Sequence, residues 1–140
     1  MPKKNAKSKR ADAERAAEWY AHEIEGCIHT IRAVRTKWQY QDLFGCDVLG
    51  KKPDGTYAWI QVTAGGAEAA RRRRRKLEGY PWCSADMVLL LQLVSTEDPS
   101  NARKKRWWFR VYEYAAGNTW QQREPVEVPR MWFRAYPRNG

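Results

Sequence analysis

Apolar residues in the opening quarter of the chain recur every three to four positions, and after Gly26 the spacing changes to two. Ala13, Ala16, Ala17, Tyr20 and Ile24 fall on one stripe of a helix predicted from Asp12 to Glu25, with Gly26 ending it. Cys27 to Thr36 alternates isoleucine and valine with polar residues and reads as a strand, followed by a loop from Lys37 to Phe44. Cys46–Gly50 and Tyr57–Ala64 are two further strands, and Gly65 and Gly66 break the chain before a second helix, Ala67–Glu78, closed by Gly79. Asp86 to Val94 is the most apolar segment, as expected of a central strand covered on both faces. A polar loop is expected over Thr96–Lys105 and a last strand over Arg106–Tyr114. Beyond Gly117 the three prolines and the absence of a period predict an irregular tail. Helix, three strands, helix, two strands describes an α/β domain with a mixed sheet and helices packed on it. The chain divides into a flexible basic arm (1–10), a core domain (11–116) and a basic, aromatic extension (117–140).

The turn between the second and third strands fixes a register. Pro53 presets the first turn residue and Gly55 supplies a left-handed position, which makes a three-residue hairpin loop pairing Lys52 with Thr56. Counting back along both strands sets Asp47 opposite Gln61, with Trp59 and Thr63 on the same face by alternation. A loop one residue longer or shorter would separate these groups.

Charge changes the picture from fold to partner. Twenty-six Lys and Arg against sixteen Asp and Glu leave a formal charge of +10, with eight tryptophans and seven tyrosines beside it. Cations of this density attract a phosphate backbone through counterion release, and aromatic faces among them suit nucleic acid. No apolar run is long enough for a membrane span, and the basic N-terminus leads into a polar helix rather than a signal region. Cys27, Cys46 and Cys83 form no CxxC pair, so neither a zinc site nor a disulfide framework is expected, and a reducing cytoplasm fits best.

Phosphodiester hydrolysis needs a hard divalent cation held by oxygen ligands with positions left for water and phosphate. Asp47 offers a charged oxygen and Gln61 a neutral one on a single sheet face. Glu14 lies at the border of the first helix's apolar stripe, with Glu18 about 40° further toward solvent. A glutamate at that border can point along the sheet surface toward Asp47.

The Ala13-Glu14-Arg15 segment, followed by Gly45-Cys46-Asp47-Val48-Leu49 and Trp59-Ile60-Gln61-Val62-Thr63, resembles the core of the PD-(D/E)xK nucleases, and most of all the archaeal-type Holliday junction resolvases. The resemblance covers roughly residues 8–114. It implies a restriction-endonuclease-like mixed sheet (αβββαββ) flanked by helices, and a homodimer cutting opposed strands of branched DNA. It implies Mg²⁺ or Mn²⁺ held by Glu14, Asp47 and Gln61, with Thr63 as the fourth catalytic position. A prokaryotic cytoplasm, with a phage as one source, suits such an enzyme. Two positions depart from the family pattern. Gln61 replaces an acid, and Thr63 stands where the family has a lysine that orients water and offsets developing charge. Arg72 or Lys76 on the second helix could supply the missing cation. A catalytically silent DNA-binding protein keeping the fold is the rival reading, and an RNA-binding or assembly factor is a third.

DNA-backbone contacts are expected from Lys9, Arg10, Arg71, Arg72, Arg73, Arg74, Arg75 and Lys76. Five consecutive arginines wrap the whole helix at ~100° per residue, so they cannot all face one ligand. Lys104-Lys105-Arg106-Trp107-Trp108 is a second basic and aromatic cluster in which one indole is expected in the core. Met131, Trp132 and Phe133 are candidates for a dimer surface. His22 and His29 belong to no legible catalytic arrangement. Gly65 and Gly66 are a weak phosphate signal and serve first as the turn into the helix.

Overall fold

A computed structural model describes residues 6–35, 40–41, 43–130 and 136. Its elements are α1 (Ala6–Glu23), β1 (His29–Arg32), β2 (Val34–Arg35), β3 (Tyr40–Gln41), β4 (Val48–Lys51), β5 (Tyr57–Thr63), α2 (Ala67–Glu78), β6 (Met87–Asp98), β7 (Asn101–Ala115) and β8 (Thr119–Val128). Six strands form one mixed sheet in the order β1-β4-β5-β6-β7-β8, and β2 pairs with β3 in a separate ribbon. All neighbours in the large sheet are antiparallel except β5 and β6. That parallel pair requires a crossover, which α2 provides. The domain is therefore α/β, as the alternation of periods predicts.

The predicted hairpin register is observed from the turn to Val48 opposite Ile60, where the ladder ends; Asp47 N then donates to Ile60 O, so Asp47 is not in ladder pairing with Gln61. Gly55 has φ 91°, Lys52 N donates to Thr56 O at 2.9 Å, and Val48 pairs with Ile60. Alternation then separates two faces. Val48, Ala58, Ile60, Val62, Leu89, Leu91 and Leu93 join Ala13, Ala16, Ala17, Tyr20 and Ala21 of α1 in one buried cluster. Val88 joins Leu77 of α2, Cys46 and Leu43 in a second, with Leu49, Trp59 and Trp82 packed against it. Each helix thus covers one face. The small alanine stripe lets α1 lie close to the sheet.

Several expectations change. The first helix begins at Ala6 and ends at Glu23, so the second half of the basic arm is helical, while residues 1–5 lie outside the described residues. Ile24, beyond the helix end, is exposed, and Ala21 takes the buried position instead. The strand expected over Cys27–Thr36 is divided into β1 and β2, and the loop expected over Lys37–Phe44 contributes β3. The polar loop expected over Thr96–Lys105 is the tip of a long hairpin, with Glu97 paired to Lys105. The tail expected to be irregular contains β8, so the sheet runs past residue 116 to Val128. A break in register between Phe109 and Val111 accommodates Pro125, which cannot donate to a ladder and is tolerated on an edge strand at a bulge. Met131, Trp132 and Phe133 lie outside the described residues. Tyr136 stacks on His22, and its carbonyl accepts from Arg15 Nε.

Candidate functional site

Asp47, immediately before β4, is held by its own backbone on both sides. Its N donates to Ile60 O at 2.8 Å, and its O accepts from Ala33 N at 2.9 Å. The carboxylate Oδ2 accepts from Val62 N at 2.9 Å, extending the ladder by one bond. This holds the carboxylate at the edge of β5, in the pocket that Gln61 also lines. Gln61 Nε2 lies 3.5 Å from Val62 O. Two residues on, Thr63 Oγ1 accepts from Gly65 N at 3.1 Å, and Gln92 Nε2 donates to Gly65 O at 3.2 Å. Gly65 is required here: a Cβ would meet Ala69 Cβ at 2.6 Å.

Thr63 pairs directly with Gln92 across the parallel β5/β6 ladder, so the two share a face. Gln61, Thr63 and Gln92 thereby form a polar row, and with Asp47 nearby in the pocket the four are 4% (Asp47), 2% (Gln61), 5% (Thr63) and 2% (Gln92) exposed. Burying four such groups in a sheet whose neighbours are leucine and valine is costly unless each is satisfied. Turn formation explains Thr63 and part of Gln92. It does not explain why Asp47 and Gln61 stand together.

Above this row opens a pocket of about 480 Å³. Asp47, Gln61 and Thr63 line its floor, Lys9, Arg10 and Ala13 come from α1, and Ala69, Arg73 and Lys76 come from α2. Four cations face one carboxylate, so the pocket favours an anion. The five arginines divide as helical geometry demands. Arg71 pairs with Glu68 at 2.6 Å, Arg74 lies over the Tyr112 ring at 4.5 Å, and Arg73 turns into the pocket. Arg72 and Arg75 are exposed and outside the pocket lining. Of the two cations expected near Thr63, Lys76 lines the pocket and Arg72 does not.

Glu14 is buried, at 8% exposure, one position beyond Ala13, and it is not among the residues lining the pocket. Glu18 is committed elsewhere, in an ion pair with Arg32 of β1 that is largely shielded from solvent. The structure thus brings Asp47, Gln61, Thr63, Lys9, Arg10, Arg73 and Lys76 together, and does not bring Glu14 into the same pocket. Among the described residues no three His, Cys, Asp or Glu side chains gather into a group that could hold a metal.

Gln92 escaped the sequence reading. The available signal was a lone amide inside the apolar run from Val88 to Val94. His22 Nδ1 donates to Cys27 O at 2.8 Å and Nε2 lies 3.1 Å from Thr30 Oγ1, tying the helix end to β1. The three cysteines are free thiols. No helix among the described residues is long and apolar enough to cross a membrane. No protein-family model, curated protein or solved structure matches the chain.

Proposed function

We propose that this pocket binds and hydrolyses a phosphodiester of DNA, making the protein a metal-dependent endonuclease of the PD-(D/E)xK type. The observation that carries the reading is that Asp47 and Gln61 line the same pocket, walled by Lys9, Arg10, Arg73 and Lys76. The order helix, three main-sheet strands, crossover helix and a strand parallel to the third supports it, because it is the order the resemblance implies. A fork of arginine donors matches phosphate oxygens, and a lysine adds a point charge.

A divalent cation belongs to this reading. Mg²⁺ is commonly held by one or two carboxylates, with water and substrate phosphate completing its shell. Asp47 and Gln61 are the pocket's oxygen donors suited to that task, and they fit an ion that arrives with phosphate. When bound, such an ion lowers the pKa of a coordinated water and offsets charge on the phosphoryl oxygens. The Val62 N–H holds the Asp47 carboxylate in one orientation. Arg73 and Lys76 supply the positive charge that Thr63 lacks, approaching from α2 rather than from the strand. Thr63 Oγ1 accepts from Gly65 N and so retains its own proton for donation. Branched DNA cut by a homodimer is the substrate and assembly that the resemblance implies.

The test is a labelled four-way junction incubated with the protein and Mg²⁺ or Mn²⁺. Cleavage is expected, and Asp47→Asn should reduce it by more than about a hundredfold, while asparagine keeps an acceptor for Val62 N. Junction binding without cutting, at any metal concentration, would favour the silent DNA-binding protein instead.

A further inference from the structure

Resting on the nucleic-acid reading of the neighbouring pocket, we infer that a groove beside it holds an unpaired stretch of the bound strand, with a base stacked on Trp107. β5 stops at Thr63, opposite Gln92, while β6 continues to Asp98. Beyond Gln92, β6 therefore has a ladder partner only in β7, and the missing neighbour leaves a notch. A groove of about 970 Å³ occupies it, running from Gly65 and Gly66 past Leu93–Ser95 to Trp107.

The groove and the pocket are contiguous, since Lys9, Ala64 and Gly65 line both. Lys9, Lys105, Arg110 and Arg130 carry its charge, against the single acid Asp12. Asp12 lies 3.4 Å from Arg15, which draws part of its charge away. A chain of phosphates entering over Arg10 and Arg73 would thus keep meeting cations as it crosses Gly65.

Trp107 is the reason to expect an unpaired strand. Other tryptophans of the fold are used structurally: Nε1 of Trp59, Trp82, Trp108 and Trp120 donates to Asp86, Leu77 O, Thr96 and Glu78 respectively. Trp107 is 39% exposed, the one exposed tryptophan among the described residues, and it lines the groove beside Lys105. An indole beside cations binds a base through its π-face irrespective of sequence, and a base is available for that only when unpaired.

Fluorescence anisotropy with a short oligothymidylate, and with an abasic strand of the same phosphate number, tests this directly. Wild type should bind the oligothymidylate more tightly. Trp107→Ala should weaken oligothymidylate binding by roughly five- to 150-fold and leave the abasic strand unchanged, while Trp107→Phe keeps most of the affinity. Equal affinity of wild type for both strands, or an unchanged oligothymidylate affinity in Trp107→Ala, would overturn the inference. If wild type binds neither strand nor duplex DNA even at low salt, the nucleic-acid reading itself fails. Duplex binding that persists without any dependence on Trp107 sinks only the groove.

Discussion

The two faces of the sheet are built from alternate residues of the same strands, yet they are used differently. On the α1 face, Val48, Ala58, Ile60 and Val62 meet an alanine stripe, and the residues named in that cluster are apolar. On the α2 face the apolar cluster of Leu49, Trp59, Val88 and Leu77 occupies one end, and Gln61, Thr63 and Gln92 occupy the other, where Gln61 and Thr63 line a pocket together with Asp47. A strand that alternates faithfully can therefore hold the fold with one set of side chains and leave the other free for chemistry. Stability should reside mainly in the first face and function at the polar end of the second.

The largest effects should separate these roles. Leu91→Ala removes a fully buried side chain from the α1 face and should cost about 2–5 kcal/mol of stability. Asp47→Asn should cost no more than about 1–2 kcal/mol, because the hydrogen bond from Val62 N survives in neutral form. Denaturant unfolding checks both. If Asp47→Asn is as damaging as Leu91→Ala, the division between faces is lost.

Next in size come the walls of the pocket. Arg73→Ala or Lys76→Ala should weaken DNA binding and lower the slope of log affinity against log salt by about one unit each. Arg71→Ala should do less, because Arg71 is already paired with Glu68 on the exposed side of α2. Titrations at several salt concentrations measure the slopes, and equal effects at Arg71 and Arg73 would remove Arg73 from its assigned place.

The smallest effect concerns the closed parts of both faces. Cys27 is buried against α1 and Cys46 under the α2 cluster, while Cys83 is exposed. Burial pushes the Cys27 thiol above its usual range, so less of it is thiolate at a given pH. A thiol reagent under native conditions should modify Cys83 alone from neutral to mildly alkaline pH. Labelling of Cys27 at a comparable rate would mean that the α1 face opens readily.

Much of this was legible from residue order, and the reasons are specific. Pro53 and Gly55 dictate a loop of defined length, and that loop sets the register as far as Val48 opposite Ile60; where Asp47 goes beyond it is set by its bonds to Ile60 and Val62. The α2 boundaries follow from Gly66 and Gly79. β8 was hidden because it lies at a sheet edge, buries little, and contains Pro125, so no apolar period marks it. The outer parts of β6 and β7 run past the helices and are polar for the same reason. Helical arithmetic put Glu14 at the border of the buried face, and it is buried, as are all residues from Asp12 to Ala17. The residues it meets depend on how α1 is seated, which no local pattern encodes. Arg73 was chosen over Arg72 by the same kind of tertiary placement.

Gln61→Leu tests the central claim most directly, by one thermal unfolding curve and one cleavage assay on the same preparation. Leucine can pack beside Leu90, its partner-strand neighbour, and replacing a buried amide with a hydrocarbon is often neutral or stabilising when no polar partner is stranded. The expected result is a melting temperature unchanged or raised, with cleavage of branched DNA lost. A melting temperature that falls steeply while cleavage persists would mean that the polar row serves the fold, and the pocket would need another explanation.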